Sequence, residues 1–234
     1  MPRPSRKDCP GAIHHVGTRG NDRDPIVFDD EDRSHLLRLI GRACDRYDLE
    51  CGAYCLMTTH YHLVLRSRSG LISRGMAMLN GWFARWINAK HERHGHLFGE
   101  RFFNRVLIEG GHRREVARYL PLNPVRACLV DAPEIWPWSS YAATIGLGSP
   151  PTFLSSFVVG EWFDGNVAAY RAWVLAGGAS EAACLEALFE AYDRVTAIRL
   201  AQQTHGIAFA TISAHLGVSD RTLRRERSRG VVAK

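Results

Sequence analysis

Apolar residues in the first half of the chain recur with two periods, one typical of strands and one typical of helices. A short β-type run from Ala12 to Thr18 ends at Arg19-Gly20-Asn21, where glycine and asparagine suit a turn. An amphipathic helix is predicted next, with Asp29 or Asp30 as its cap. Its apolar positions are Leu36, Leu37, Ile40, Cys44 and Tyr47.

Strict alternation follows and predicts a strand-like stretch from Leu49 to Arg66. Tyr61, Leu63 and Leu65 fall on one side of it, and His60, His62 and Val64 fall on the other. The two histidines should therefore point the same way. By the same alternation, Cys51, Ala53 and Cys55 should share a face.

Three more elements complete this half of the chain. A second helix is indicated by Met76, Leu79, Phe83, Trp86 and Ile87, and a further strand by Phe102 to Ile108. A short helix from about His112 carries Tyr119 and is punctuated by Pro121 and Pro124. Alternating strands and helices of these lengths predict an α+β fold, with helices packed against a mainly antiparallel sheet.

The chain divides into three predicted regions. Residues 1–145 form the α+β domain, residues 146–205 a helical linker region that opens with Gly146 to Pro151, and residues 206–234 a helix-turn-helix segment. In the last region a turn at Gly217-Val218-Ser219 separates two helices, the second opening at Asp220 as N-cap. The alternative is a solvated basic tail.

Composition narrows the possible partners and compartments. Lysine and arginine number 30 against 24 aspartates and glutamates, which favours an anionic partner such as nucleic acid. Apolar runs are too short for a membrane span and the basic N-terminus leads into no signal core, so a cytoplasmic protein is expected. The six scattered cysteines are expected to be reduced thiols.

Candidate chemistry comes from four residues. His60 and His62, on one strand face, could converge on one metal ion. Tyr119 and Asn123 are four residues apart, a spacing that stacks them on one helix face and offers an amide oxygen as a third ligand beside a phenol. Such a set has the nucleophile and the cation site that covalent phosphodiester cleavage needs.

Alternatives remain open for each part of this set. A His-x-His pair is often only a solvated strand face, and a helical tyrosine is usually a packing residue. Pro121 can kink the helix between Tyr119 and Asn123, which leaves His112 and Glu115 as substitute ligands. A structural zinc site could instead draw on Cys51 and Cys55 together with the two histidines, although their spacing is unlike that of zinc fingers.

Five ordered motifs between His15 and Tyr141 resemble the single-tyrosine transposases of the HUH endonuclease superfamily, in particular its REP-associated branch. They are Thr18-Arg19-Gly20-Asn21, Cys55-Leu56-Met57 leading into His60-Tyr61-His62-Leu63-Val64-Leu65, Gly95-His96-Leu97-Phe98 with Arg101-Phe102, Arg118-Tyr119-Leu120 leading to Asn123-Pro124-Val125-Arg126-Ala127, and Trp138-Ser139-Ser140-Tyr141. Thr58-Thr59 departs from the Pro-Asn that commonly precedes the first histidine in that family, a change expected to alter a turn or a DNA contact rather than metal binding.

This resemblance implies a ferredoxin-like central antiparallel sheet, with the histidines on its middle strand and the tyrosine on a nearby helix. It also implies that Tyr119 attacks single-stranded DNA to give a 5′-phosphotyrosine and a free 3′-hydroxyl. His60, His62 and Asn123 would hold Mg²⁺ or Mn²⁺. Family members act on hairpin DNA of palindromic repeats, and they include both monomers and homodimers.

Arginines are the expected DNA contacts, since guanidinium groups match phosphate oxygens. The candidates in the α+β domain are Arg19, Arg101, Arg105, Arg118 and Arg126, and those in the helix-turn-helix segment are Arg221, Arg224 and Arg225. The leading hypothesis is a DNA nicking and strand-transfer enzyme. The rivals are a non-catalytic DNA-binding regulator with the same fold and a metal-dependent hydrolase in which Tyr119 is incidental.

Overall fold

The structure is a computed structural model that describes residues 9–108, 110–177, 185–186, 188–189, 193–203, 207–219 and 221–223. Its strands are β1 (Ala12–Arg19), β2 (Leu49–Leu56), β3 (His60–Ser67) and β4 (Phe103–Val106). Its helices are α1 (Asp30–Tyr47), α2 (Ile72–Lys90), α3 (Gly110–Arg126), α4 (Tyr141–Thr144), α5 (Phe157–Trp162), α6 (Val167–Leu175), α7 (Arg194–Gln203) and α8 (Phe209–Leu216). Within the described ranges, no helix is both long and apolar enough to cross a bilayer.

The four strands form one antiparallel sheet in the order β2-β3-β1-β4. The chain order β1-α1-β2-β3-α2-β4 with this sheet order is the split βαβ arrangement of ferredoxin-like folds. The α+β class and the antiparallel sheet are thus confirmed. In the register, Gly17 lies directly between His62 on β3 and Phe103 on β4.

The single strand-like stretch predicted from Leu49 to Arg66 was wrong, because the chain reverses within it. Met57, Thr58 and Thr59 form a tight turn between β2 and β3, in which the Met57 N–H donates to the His60 carbonyl at 2.8 Å. Without glycine, proline or asparagine, this turn has only a weak signal in the sequence. Alternation alone cannot reveal such a reversal.

A β-bulge in β2 makes the prediction that Cys51, Ala53 and Cys55 share one face of the strand wrong. The ladder to β3 shifts between Cys51 and Ala53, so Cys51 pairs with Leu65 while Ala53 pairs with Val64. An extra residue in one strand turns the following side chains to the other face. Cys51 therefore lies in the core on one side of the sheet and Cys55 in the core on the other, which separates the two cysteines of the zinc alternative.

Each face of the sheet has its own core. Tyr61, Leu63 and Leu65 pack beneath α1 and α2, as the alternation predicted. The opposite face, which carries Val64 and the histidines, packs against α3, α5 and α6. The start of α1 is fixed by a capping box between Asp29 and Asp32, so Asp29 rather than Asp30 is the cap.

Helix α3 differs from its prediction, since it has 17 residues and runs through both prolines to Arg126. Proline removes the N–H that would bond the carbonyl four residues earlier. The Tyr170 hydroxyl donates to the Ala117 carbonyl, which Pro121 leaves free, at 3.3 Å. The Asn123 amide donates to the Leu120 carbonyl, which Pro124 leaves free, at 3.4 Å. Both gaps in the helix are therefore filled by side chains.

The C-terminal residues have a third small core, which includes Leu188, Ile198, Ile212 and Leu223. Helix α8 ends at Gly217 in the left-handed conformation, and Leu223 is buried, both in line with the predicted turn and inward position. The Ser219 hydroxyl accepts the Thr222 N–H at 3.3 Å. Asp220, Arg224 and Arg225 lie outside the described residues, so the helix-turn-helix stays a prediction.

The cysteine prediction holds in part. Cys9, Cys44, Cys51 and Cys55 are free thiols. Cys128 is buried in the third core and is disulfide-bonded, so the expectation that every cysteine is reduced was wrong.

Candidate active site

His60 and His62 lie on the sheet face that packs against α3. Tyr61, between them, points the other way and is fully buried, so the two rings project on the same side with centroids 5.1 Å apart. The alternation of β3 alone produces this arrangement. The two imidazoles therefore share one face of the sheet, and their convergence on one metal ion stays a prediction.

One nitrogen of each histidine ring is held by a neighbour. His60 Nδ1 lies 3.0 Å from the Thr59 hydroxyl, and His62 Nδ1 lies 3.1 Å from His15 Nε2. Histidines that bind metals usually have their second nitrogen fixed in this way, which sets both the tautomer and the ring direction. Thr59, one of the two residues that depart from the family pattern, therefore contacts a candidate metal ligand directly and does not act on the turn alone.

Gly17 gives the His62 ring its space. A Cβ atom at Gly17 would lie 2.8 Å from His62 Nδ1 and 3.0 Å from the Tyr61 carbonyl oxygen. Any larger residue there would push against the ring at the nitrogen that contacts His15. The absence of a side chain at this ladder position is thus part of the site.

Tyr119 reaches the histidines from α3. Val116, Ala117 and Leu120 pack into the sheet, which turns the next face of the helix toward β3 and β1. The phenolic oxygen lies 3.5 Å from His62 Nε2, and the two ring centroids are 5.3 Å apart. The nucleophile candidate and both ligand candidates meet within a single chain.

Asn123 occupies the next turn below Tyr119, because α3 does not break at Pro121. Its amide nitrogen donates to the Tyr119 carbonyl at 2.8 Å, which leaves the amide oxygen to act as an acceptor or ligand. Its side chain also offsets part of the effect of burial on two neighbours, because it acts against the lowering of the His60 pKa and against the raising of the Tyr119 pKa. The four-residue spacing therefore places Asn123 as expected.

Burial keeps the histidines neutral. It lowers the pKa of His15 and of His60 to about 4 each, with help from the charges of His112 and Arg105 on the first and of Arg19 on the second. Burial also lowers the pKa of His62 well below its ordinary value, assisted by His60, His15 and Arg19. A neutral imidazole is the form that binds a metal ion.

The phenol of Tyr119 experiences opposing influences. Burial raises its pKa above the ordinary value, while the Asn123 hydrogen bond and the charges of Arg126 and Arg19 act to lower it. The Arg126 guanidinium lies 5.6 Å from the centre of the Tyr119 ring. Asn123, Arg126 and Arg19 thus favour the phenolate, against the larger effect of burial.

An open cleft of about 500 Å³ leads to the histidines. It is lined by His60 and His62 and by Gly17, Arg19, Arg101 and Phe103, whose ring is about half exposed. A smaller cavity of about 290 Å³ is lined by Tyr119, His15 and Arg126.

The arginines predicted to contact DNA lie partly at the two cavities and partly elsewhere. Arg19 and Arg101 line the cleft, Arg126 lines the smaller cavity, and Arg105 lies opposite His15 in the ladder. Arg118 points elsewhere, since it pairs with Glu115 at 2.5 Å and lies 4.7 Å from the Trp173 ring. Arg221 is exposed in the C-terminal region, away from any described part of the cleft. None of these DNA contacts is tested by the structure.

The donor set around the pair fits a hard divalent ion. It has two neutral imidazoles with one anchored nitrogen each, an amide oxygen and a phenol, with room in the cleft for water or phosphate oxygens. His112 and Glu115, the substitute ligands, lie at the smaller cavity, where Glu115 is occupied by Arg118. Asn123 is therefore the better third ligand.

A cluster of possible metal ligands at the start of α1 is already occupied by ion pairs and hydrogen bonds. Asp29, Asp32 and His91 bring ligand atoms within 4.8 Å of one another. The Lys90 ammonium already lies 2.7 Å from Asp29 and 3.0 Å from Asp32, and Asp32 accepts the Phe28 N–H at 2.7 Å. This cluster stabilises the start of α1.

Sequence reasoning missed His15, Gly17 and Thr59. His15 and Gly17 matter only because the register of β1 sets them beside His62. Their common face could have been read from the alternation of β1, but their pairing partner could not. Thr59 was noted only as a departure.

Comparison with known proteins shows what this chain is similar to. Residues 11–120 match the model of the family described as "Transposase IS200 like". A solved structure of a REP-associated tyrosine transposase bound to a REP hairpin is 17% identical, covers 66% of this chain and 92% of that chain, and superposes with a TM-score of 0.54. A search of curated proteins gave no match.

At 17% identity, the solved structure supports a shared fold only. The match to the family model supports a similarity in sequence. The matched residues include both histidines and end just beyond Tyr119. Over residues 11–120, just under half of its length, this chain is similar to the IS200-like transposase family.

Proposed function

We propose that this chain is a metal-dependent endonuclease and strand transferase that acts on single-stranded DNA, with Tyr119 as the nucleophile. The observation that carries the proposal is the approach of the Tyr119 oxygen to His62 Nε2 at 3.5 Å, beside a second histidine and an amide oxygen. A buried tyrosine in a packing role needs no such neighbours.

Cleavage is proposed to pass through a 5′-phosphotyrosine. The Tyr119 oxygen forms a bond to phosphorus, and the bond between phosphorus and the 3′ oxygen breaks. The phenolic proton is lost to solvent, and the departing oxygen takes up a proton to become a 3′-hydroxyl. Attack by a 3′-hydroxyl on the phosphotyrosine reverses the step and joins two strands.

Neighbouring residues prepare the attack. Arg126 and Asn123 act to stabilise the phenolate, and Arg19 and Arg101 hold phosphate groups in the cleft. Phe103, half exposed beside them, offers a ring for base stacking. His15 and Thr59 fix the directions of the His62 and His60 rings.

His60, His62 and Asn123 are the residues that would hold Mg²⁺ or Mn²⁺. Such an ion polarises a phosphoryl oxygen and thereby assists attack at phosphorus. The histidine rings have the neutral state and the anchored nitrogens that ligation requires.

The substrate is proposed to be a hairpin with an adjoining single strand, as in palindromic repeats. The related solved protein is bound to a REP hairpin, and the fold of the two chains is shared. The C-terminal residues, with Arg221, Arg224 and Arg225, are proposed to form a helix-turn-helix that contacts duplex DNA.

A covalent-adduct assay tests the function. The protein is incubated with a labelled oligonucleotide that carries a hairpin and a single-stranded flank, in Mg²⁺ or Mn²⁺, and is separated on a denaturing protein gel. We expect a labelled protein band that is lost in Tyr119→Phe and in the presence of a chelator. Tyr47→Phe, on α1, is the matched control and should leave the band unchanged.

The other outcomes separate the rival functions. Cleaved DNA without an adduct would mean that water is the nucleophile and would overturn the role of Tyr119. Binding without cleavage or adduct, under all metal conditions, would identify a non-catalytic DNA-binding protein.

A further inference from the structure

A short chain of hydrogen bonds lies between the sheet and α2, on the face opposite to the histidine rings. The Tyr61 hydroxyl of β3 donates to the Asn80 amide oxygen on α2. The Asn80 amide nitrogen donates to the Thr18 hydroxyl oxygen of β1 at 3.4 Å. Tyr61 is fully buried, and Thr18 is 6% exposed. One side chain of α2 therefore holds both central strands of the sheet.

We propose that Asn80 is a positioning residue for the candidate metal ligands on the other face of the sheet. It acts through Tyr61 and Thr18, which fix the strand backbone beside the rings of His60 and His62. This inference rests on the proposed function, because it gives Asn80 a part in holding the ligands of the proposed cation.

Tyr61 lies between the two candidate ligands along β3. Successive side chains of a strand point to opposite faces, so a twist of the backbone at one residue turns both of its neighbours. Apolar contacts alone are non-directional, whereas a hydrogen bond prefers a narrow range of distance and angle. The bond from Tyr61 to Asn80 therefore also restricts the directions of His60 and His62.

The same amide reaches the second strand of the site. Thr18 lies directly opposite Tyr61 in the ladder between β1 and β3. Its neighbours in β1 are Gly17, which leaves space for a histidine ring, and Arg19, which lines the cleft. All four residues that flank this cross-strand pair line the cleft. Asn80 thus holds the strands at the point where both contribute to the site.

Packing does not account for these polar groups. Asn80 lies four residues after Met76 and three before Phe83, which are both buried in the core beneath α2. Asparagine is a weak helix former, and a phenylalanine ring in place of Tyr61 would need no partner. Apolar side chains of the same shape would be about as stable. What the hydrogen bonds add is a defined geometry of the two strands.

The test separates position from stability with a variant and a matched control. Thr18→Val/Tyr61→Phe/Asn80→Leu replaces all three polar groups by apolar groups of similar shape, so that none is left unpaired. Ser67→Ala is the control, because the Ser67 hydroxyl accepts the N–H of Leu71, the residue before α2, at 2.9 Å. Ser67 is fully buried at the end of β3 far from the histidines.

Three measurements are made on the full-length chain. Electron paramagnetic resonance of free Mn²⁺ gives the affinity for the ion in the absence of DNA. Urea denaturation gives the free energy of unfolding. The rate of adduct formation against Mn²⁺ concentration separates a loss of metal affinity from a loss of rate at saturation.

We expect the triple variant to unfold at the urea midpoint of the wild type or above it, and to bind Mn²⁺ about tenfold more weakly. Its adduct rate should return toward the wild-type rate at saturating Mn²⁺. Ser67→Ala should unfold at lower urea and bind Mn²⁺ as the wild type does. Tyr61→Phe alone removes a single oxygen atom, and it should weaken Mn²⁺ binding by a smaller factor even where the triple variant folds poorly.

Wild-type Mn²⁺ affinity in both the triple variant and Tyr61→Phe would overturn the inference. An equal loss of affinity in Ser67→Ala would do the same, because affinity would then follow stability, and so would a wild type that binds no Mn²⁺. A wild type that binds Mn²⁺ without forming an adduct would reject the proposed function. The Mn²⁺ affinities of the variants would still decide the role of Asn80.

Discussion

His62 lies between neighbours that decide where its ring points. Its Nδ1 atom contacts His15 Nε2 at 3.1 Å, and its Nε2 atom faces the Tyr119 oxygen at 3.5 Å. Gly17, opposite it in the ladder, leaves the space that this orientation needs. The orientation of His62 therefore depends on His15 and Gly17, which take no direct part in the proposed reaction.

Replacing Gly17 by alanine should slow the reaction while preserving the fold. The added Cβ atom would lie 2.8 Å from His62 Nδ1, so the ring must turn away from His15. A strand accepts alanine at this position, since the glycine φ angle is not positive. We expect adduct formation to slow about 10- to 100-fold, the usual effect of losing a ligand's supporting contact.

The measurement is the rate of adduct formation together with the melting temperature. Gly160→Ala is the control, because a Cβ atom there meets nothing within 4 Å. Wild-type rates at every Mn²⁺ concentration in Gly17→Ala would contradict the role given to the His62 orientation.

Stability should fall as the pH falls from about 6.5 to about 4 in the metal-free protein. His15 and His60 have folded-state pKa values lowered to about 4 by burial, against 6.5 when exposed. Between these values the unfolded chain binds more protons than the folded chain, so acid favours unfolding. The protonation of each histidine should lower the free energy of unfolding by about 2 to 3 kcal/mol at most.

Urea unfolding at pH 7 and at pH 4.5 checks this dependence, with His15→Asn as the comparison. The asparagine variant should lose less stability over the interval, because one titrating group is gone. Equal losses in the two proteins would mean that His15 is not held neutral by burial.

At the scale of elements, α3 is a helix that its own backbone could not complete. Pro121 and Pro124 leave the carbonyls of Ala117 and Leu120 without their usual donors. Tyr170 on α6 and Asn123 supply the replacements. Trp173 on α6 adds a further bond to the Arg114 carbonyl at 2.9 Å. Helix α6, which lies beyond the residues matched by the family model, thus holds the helix that carries Tyr119.

Loss of the Tyr170 hydroxyl should be compensated by loss of Pro121. Tyr170→Phe leaves the Ala117 carbonyl buried and unbonded, which should destabilise the fold by about 1 to 3 kcal/mol and slow adduct formation. In Pro121→Ala/Tyr170→Phe the restored N–H of residue 121 bonds that carbonyl, so stability and rate should recover.

Chemical denaturation and the adduct rate, measured for the wild type, both single variants and the double variant, complete the cycle. Additive effects would show that Tyr170 contributes only by packing. The same cycle with Tyr141→Phe, whose hydroxyl has no partner in the described structure, should show no coupling to Pro121.

Elements were predicted with unequal success for identifiable reasons. Alternation and helical spacing placed β1, α1, α2 and the histidine face of β3 correctly, because these signals are local. The turn at Met57 to Thr59, the bulge between Cys51 and Ala53, and the continuation of α3 were missed. Each of these depends on bonds to residues distant in the chain or on backbone geometry that carries no compositional signal.

At the scale of the whole molecule, one chain brings together all the groups that the proposed reaction uses. The phenol of Tyr119 lies beside His62 of the same chain, on a helix held by α5 and α6 of that chain. A second copy is not needed to supply the nucleophile. This arrangement favours attack in cis.

A mixing experiment should therefore give no complementation. Tyr119→Phe and His60→Ala/His62→Ala are each expected to be inactive, and their mixture should form adduct at no more than the background of the separate variants. The adduct assay at several protein ratios measures this. Adduct formation well above background in the mixture would mean that one chain attacks with another chain's tyrosine.

The sequence by itself determined the periodic elements, the shared direction of His60 and His62, and the stacking of Tyr119 over Asn123, since each follows from spacing within one strand or one helix. Only the tertiary structure decided that His15 and Gly17 lie beside His62 and that Tyr170 completes α3. Those relations depend on strand register and on packing between distant segments, which no local pattern of residues encodes.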